Sequence, residues 1–209
     1  MYDGLTTLHC ARLLEREIGA SSRRLFRKAP HMAPKPPVPF PSPLKLPDVL
    51  AGGLAVVFCG LNPGLSAAMS GHHFAGRSNR FWKAIHLAGF TPELMDPADD
   101  RRILQYGCGL TTVVDRPTVR ADEVSRQEFK ASHGALHRKI EHFAPTYLAF
   151  LGKAAYSAIS DRRDIAWGLQ SARFAGSVAW VLPNPSGLNR AFSLDDLVQA
   201  YRELRSAAC

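Results

Sequence analysis

The chain has 209 residues, 46% of them hydrophobic, and a formal net charge of +8 at neutral pH. That length suffices for one substantial core, and the charge favours a polyanionic partner such as nucleic acid. No apolar run approaches the roughly 18–20 residues that cross a bilayer, so a soluble, cytoplasmic protein that spans no membrane is expected, nucleoid-associated if bacterial. Four cysteines, Cys10, Cys59, Cys108 and Cys209, lie far apart with no C-x-x-C pair. Zinc and iron–sulfur sites need closely spaced thiolates in part of their ligand set, so a reduced protein without metal or other cofactor is expected.

Residues 1–48 differ in composition from the remainder of the chain. Residues 5–27 suit a basic helix, and residues 30–47 hold eight of the chain's fifteen prolines. Dense proline removes backbone donors and favours extended chain. Arg12, Arg16, Arg23, Arg24, Arg27, Lys28, Lys35 and Lys45 stand against Asp3, Glu15, Glu17 and Asp48, so half the net charge lies here. The expectation is a basic, proline-rich tail over residues 1–48 and one folded domain over residues 49–209. Three roles suit the tail: a DNA-contacting arm, a passive extension and a targeting segment. Its arginines and serines fit targeting, and Glu15 and Glu17 oppose it. Met32 offers an alternative start.

From Leu54 the chain alternates strand and helix. The apolar run at residues 54–59 reads as a buried strand. Residues 79–89 read as a helix with Phe81, Ile85 and Ala88 on one face and Gly89 able to end it. Residues 109–114 are strand-like. Residues 125–143 carry Phe129, Leu136, Ile140 and Phe143 at helical spacing. A strand over 146–151, a short helix over 153–159 and a last strand over 178–182 follow. In the final helix, residues 193–208, Ser193 and Asp196 are spaced as a variant capping box, and Leu197, Tyr201 and Leu204 form a buried stripe. There is no internal repeat. Strands separated by helices predict a three-layer α/β/α fold with a mostly parallel central sheet flanked by helices.

Two polar loops follow predicted strands: Gly60-Leu61-Asn62-Pro63-Gly64, and Asn184-Pro185-Ser186-Gly187-Leu188-Asn189-Arg190. In open α/β sheets, sites form beyond the carboxyl ends of the strands, so the pair suggests two walls of one active site. Alone, Asn-Pro-Gly is more often an ordinary strand-to-helix turn with asparagine as a cap. A phosphate loop is a further alternative, opposed by the missing Gly-Lys-Ser/Thr ending that supplies charge and a magnesium ligand.

Both loops, together with Asn79-Arg80-Phe81-Trp82-Lys83, Asp115-Arg116-Pro117-Thr118 and Leu151-Gly152-Lys153 in this order, resemble the mismatch-specific uracil-DNA glycosylases. These form the Mug and thymine-DNA glycosylase branch of the uracil-DNA glycosylase superfamily, and the likeness runs from about Leu54 to about Leu204. It implies the same α/β fold and a monomeric enzyme acting on double-stranded DNA that contains uracil or mismatches. The distant cysteines separate the chain from superfamily relatives that carry an iron–sulfur cluster.

The resemblance assigns roles residue by residue. Asn62 would aim the attacking water; its amide cannot take a proton near neutral pH. The faster uracil glycosylases of the superfamily carry aspartate there. Catalysis would then rest on orientation and on backbone donors facing the uracil oxygens, giving a slow enzyme with a relaxed substrate range. Leu61, Gly64, Ala67 and Phe74 would form the base pocket, with Phe74 stacking on the flipped base or, alternatively, packing in the core. Ala67 stands where resembling bacterial enzymes usually have a second serine, and Thr112 where the resembling enzyme has lysine. Leu188 would fill the gap left by the base, the alternative being a core staple. Gly187, Asn189 and Arg190 would contact the opposite strand, while Asn184, Pro185 and Ser186 position the loop or bind phosphate. Asp115 is a candidate auxiliary to catalysis, though a salt bridge to Arg116 or a helix cap suits it better. His72 and His73 read as exposed loop residues. Arg77, Arg80, Lys83, Arg116 and Arg120 could together track a phosphate backbone. The function expected is monofunctional excision of uracil, from G:U mismatches above all, with thymine and ethenocytosine as further substrates; a non-catalytic DNA-binding module and a nucleotide-phosphate enzyme are the alternatives.

Overall fold

The computed structural model describes residues 45–208. The expected basic helix over 5–27, the proline-rich stretch up to residue 44, Cys10 and Cys209 lie outside the described residues.

Five strands form one sheet in the order β2-β1-β3-β5-β4: β1 (Val56–Gly60), β2 (Cys108–Thr112), β3 (Tyr147–Leu151), β4 (Gly168–Phe174) and β5 (Ser177–Leu182). The pairs β1–β2, β1–β3 and β3–β5 are parallel, and β4 runs antiparallel on the edge of β5. Side chains of a strand point alternately to its two faces, and both faces here are apolar. Val56 and Phe58 join one core cluster, and Val57 and Cys59 join the other. β3 and β5 divide in the same way, with Ala149, Leu151, Trp180 and Leu182 on the first face and Leu148, Phe150, Ala179 and Val181 on the second. Strands buried on both sides tend to be continuous apolar runs, which is why β1, β3 and β5 are readable as such.

Helices cover both faces. On the first lie α2 (Phe81–Leu87) and α5 (Leu194–Ala208), which pack on each other. Phe58 sits there against Phe81, Phe90 and Tyr201 at ring-centroid distances of 5.3, 5.2 and 6.1 Å. On the second face lie α3 (Arg126–Phe143) and α4 (Lys153–Ser160), which contribute Phe129, Leu136, Ile140, Ala155 and Tyr156. Each fully buried large side chain contributes roughly 1.5–3 kcal/mol of transfer free energy. Burial pushes the Cys59 thiol well above its ordinary range, so it serves as a small apolar residue.

The expected cap of α5 by Ser193 and Asp196 is present, and α3 carries a capping box of its own. Ser125 and Glu128 close a capping box on α3. On α5 the Asp196 amide donates to Ser193 Oγ at 3.1 Å, and the Ser193 amide donates to Asp196 Oδ2 at 2.8 Å. Before β1, residues 46–49 pack along β2: Leu46 is buried, Val49 pairs with Leu110, and Asp48 joins Thr111 and Lys139.

Four elements escape the sequence pattern, one of them a three-residue 3-10 segment over Ala121–Glu123. The six-residue helix α1 (Leu65–Ser70) is too short to show a period. A 3-10 segment over Pro97–Tyr106 is capped by Asp96, whose Oδ1 accepts from the Ala98 amide at 2.8 Å. Edge strand β4 reads GLQSARF, buries only Gln170 and Phe174, and is irregular between Leu169 and Arg173.

From β1 the chain goes first to β2 on one side and then returns past β1 to β3 on the other. Strand order reverses at that point, which opens a crevice at the carboxyl edge. Because β1, β3 and β5 are parallel, the loops that follow them emerge on that same edge.

Candidate active site

The loops after β1 and β5 face each other across a cleft of about 440 Å³. Leu61, Asn62, Gly64, Ala67 and Phe74 line one side, and Asn184 to Leu188 line the other. Asn189 and Arg190 lie beyond the lining, at the end of the second loop, and Asp115 is outside the cleft. Gly152, at a φ of +119°, separates the loops. A Cβ there would lie 3.7 Å from both Leu61 and Asn184, in a conformation that L side chains rarely adopt. Among the described residues, no carboxylate, lysine or arginine lines the cleft.

Asn62 is held by its nitrogen. Nδ2 donates to Thr118 Oγ1 at 2.7 Å, to the Arg116 carbonyl at 3.0 Å and to the Pro63 carbonyl at 3.2 Å. Carbonyls only accept, so this end of the amide must be the NH2, and Oδ1 is left as an acceptor without a donor among the described residues. Segment 116–118 is itself fixed to the first loop, since the Thr118 amide donates to Pro63 O at 3.0 Å and the Leu65 amide to Thr118 O at 3.1 Å. An oriented, uncharged acceptor can align a water molecule but cannot ionise it. At Gly64 a Cβ would meet no protein atom within 4 Å, so packing does not explain that glycine.

Phe74 adopts a φ of +58°, a strained conformation for an aromatic residue that costs about 1–3 kcal/mol. Its neighbour His73 holds it there. The His73 amide donates to Asp100 Oδ2 at 2.8 Å, its carbonyl accepts from Trp82 Nε1 at 3.1 Å, and its ring lies 3.0 Å from Pro47 O. His73 is thus buried, a correction to its expected exposure. Burial outweighs the nearby carboxylates and lowers its pKa, and the proton sits on Nε2 because Pro47 O can only accept. The two readings of Phe74 are both met in part: its ring stacks on Phe81 at 3.9 Å, packs against the core and still borders the cleft.

The second loop is self-braced. Asn184 Oδ1 accepts from the Ser186 amide at 2.9 Å, Ser186 Oγ accepts from the Leu188 amide at 3.3 Å, and Asn189 Nδ2 donates to Asn184 O at 2.9 Å. Gly187 lies against residue 78, where a Cβ would fall 2.6 Å from the Ser78 carbonyl oxygen. Leu188 is 67% exposed, which excludes the core-staple alternative.

Arg80 corrects the expected phosphate track. Its guanidinium donates to four carbonyls of this region: Phe192 at 2.6 Å, Asn189 at 2.8 Å, Ser186 at 3.0 Å and Pro185 at 3.4 Å. A cation at the N-terminus of α2 opposes the helix dipole, and the four carbonyls compensate its charge there. Arg116 pairs with Glu128 and Arg120 with Asp122. Asp115 pairs with Lys45 at 3.0 Å instead of Arg116. Arg77, Lys83 and Arg190 are exposed and form no ion pair among the described residues. Thr118, buried behind Asn62, closes the Asp115-Arg116-Pro117-Thr118 motif, yet the family likeness gave it no role of its own.

An uncharged cleft at the switch point of such a sheet suits a hydrolase that recognises a neutral heterocycle and relies on alignment. Residues 47–205 match the model of the Uracil DNA glycosylase superfamily, and the chain belongs to that superfamily. It is accordingly a glycosylase of base excision repair, with DNA as its partner.

Proposed function

We propose that the protein is a mismatch-specific uracil-DNA glycosylase of the Mug and thymine-DNA glycosylase branch, monofunctional and acting first on uracil opposite guanine. The observation that carries this reading is the Asn62 amide beside a cleft without a lining carboxylate, its nitrogen spent on Pro63, Arg116 and Thr118 and its oxygen left as an acceptor. Uracil leaves the stack and enters the cleft, where the ring of Phe74 and the walls at Leu61 and Ala67 receive it; mismatched bases flip at lower cost. Asn62 Oδ1 aligns a water whose oxygen bonds to the sugar C1′ as the C1′–N1 bond breaks. The bonding pair leaves on uracil, steadied by backbone N–H groups, and the surplus water proton passes to solvent. No lysine lines the cleft among the described residues, which favours hydrolysis over a Schiff base.

Labelled duplexes carrying uracil, thymine or ethenocytosine opposite guanine, and uracil opposite adenine, test this after alkaline cleavage of abasic sites. The expected order begins with G:U. A non-catalytic DNA-binding module would leave every duplex uncut, and thymine or ethenocytosine as the best substrate would refute the ranking.

Leu188 fills the vacated stack in this scheme. Leu188→Ala should leave the melting temperature unchanged and slow excision from duplex about tenfold, roughly 1.4 kcal/mol. Single-stranded substrate, which has no stack to fill, should lose no more than about twofold. Equal losses on both substrates would remove the wedge role.

A further inference from the structure

The environment of Asn62 contains a hydroxyl that takes no part in the hydrolysis as written. Thr118 Oγ1 lies 2.7 Å from Asn62 Nδ2 and 2.7 Å from the Arg120 carbonyl. The carbonyl can only accept, so the single hydroxyl proton goes to Arg120 and a lone pair is left facing Asn62. The direction of the second bond is therefore dictated by the first: whatever amide atom of Asn62 meets Thr118 must be a donor.

We propose that Thr118 is a positioning residue for base excision, holding the Asn62 amide so that its oxygen and not its nitrogen faces the cleft. This rests on the catalytic role given to Asn62. Thr118 is 4% exposed, so no water stands in for its hydroxyl without rearrangement. Its main chain binds the first loop from both sides, through Pro63 O and the Leu65 amide, so hydroxyl and loop move as one unit. The Arg116 carbonyl takes one amide proton and Thr118 the other; Pro63 O, at 3.2 Å, shares what remains. Losing the hydroxyl leaves one proton of the NH2 without its shortest bond and loosens rotation of the amide. A water-aligning acceptor tolerates little such freedom.

Single-turnover excision from a G:U duplex reads the effect. Thr118→Val should lower the rate about tenfold, with duplex affinity within about twofold of wild type, and Thr118→Ser, which keeps the hydroxyl, should recover most of the rate. If Thr118→Val does not fold, Thr118→Ala removes the same hydroxyl and is read in its place. The decisive measurement repeats the substitution in Asn62→Ala, using 5-fluorouracil as the excised base because its anion leaves more readily and keeps the residual rate measurable. A residue acting through Asn62 has no further effect once Asn62 is gone. An undiminished rate in Thr118→Val, no recovery in Thr118→Ser, or the same tenfold loss without Asn62 would each overturn the proposal. Those results leave the function itself standing if the wild type excises uracil and Asn62→Ala does not. A wild type inactive on every duplex would overturn both.

Discussion

Replacing Asn62 by alanine should lower uracil excision by at least about a hundredfold, roughly 2.7 kcal/mol at the transition state. Duplex affinity should barely change, because the side chain spends its donors on Pro63, Arg116 and Thr118 and offers only Oδ1 to the cleft. No lining carboxylate is available to take over among the described residues. The measurement is single-turnover excision alongside a binding isotherm on an uncleaved analogue. A folded Asn62→Ala protein with near wild-type rate would remove this residue from the mechanism.

Arg80→Ala should be the most damaging change to the second loop. One guanidinium satisfies carbonyls of Pro185, Ser186, Asn189 and Phe192, and the Arg80 amide adds a further bond to Pro185 O at 3.0 Å. Hydrogen bonds to a charged group contribute about 1.5–3 kcal/mol each but do not add, and freed carbonyls on a loop regain water. The expected cost is about 2–3 kcal/mol, or roughly 4–12 °C in melting temperature for a domain of this size. Excision from duplex should fall further than excision from single strands, since the loop carrying Leu188 is what loosens. Arg80→Lys should recover little, because an ammonium cannot span the same acceptors. Unchanged melting and unchanged excision would show that the loop braces itself without Arg80.

Strands β1 and β5 were legible because strands buried on both faces tend to be apolar throughout, as residues 54–59 and 178–182 are. β4 was not, because an edge strand with Gly168, Gln170, Ser171 and Arg173 carries no such run. The two loops were legible from their Gly, Pro and Asn content and from the family likeness. Their internal bonding was not. Asn189 read as a group offered to the opposite strand, yet its amide donates within its own loop, and the Asn184 and Ser186 side chains, read as positioning the loop or binding phosphate, accept bonds from the loop's own amides. Arg80 read as a phosphate contact because its partners are main-chain carbonyls 105–112 residues away, and a carbonyl has no sequence signature. His73 was misjudged for a related reason: the acceptor that buries its ring is the Pro47 carbonyl, in a stretch read as tail.

The three acceptors around Asn62 Nδ2 also limit what this enzyme can become. An aspartate at position 62 would place a carboxylate oxygen among the Pro63 and Arg116 carbonyls, which repel it, and Thr118 could donate to it only by abandoning Arg120. Hydrogen bonding that favours the neutral acid raises a carboxyl pKa, so the new group would hold its proton to higher pH than an ordinary aspartate and serve poorly as a base. Asn62→Asp should therefore show no gain in excision rate at neutral pH, and its rate should climb only as rising pH strips that proton. A faster enzyme is more than one substitution away: segment 116–118 would have to change along with residue 62, so the loop that aligns the present side chain also bars the simplest route to a quicker one.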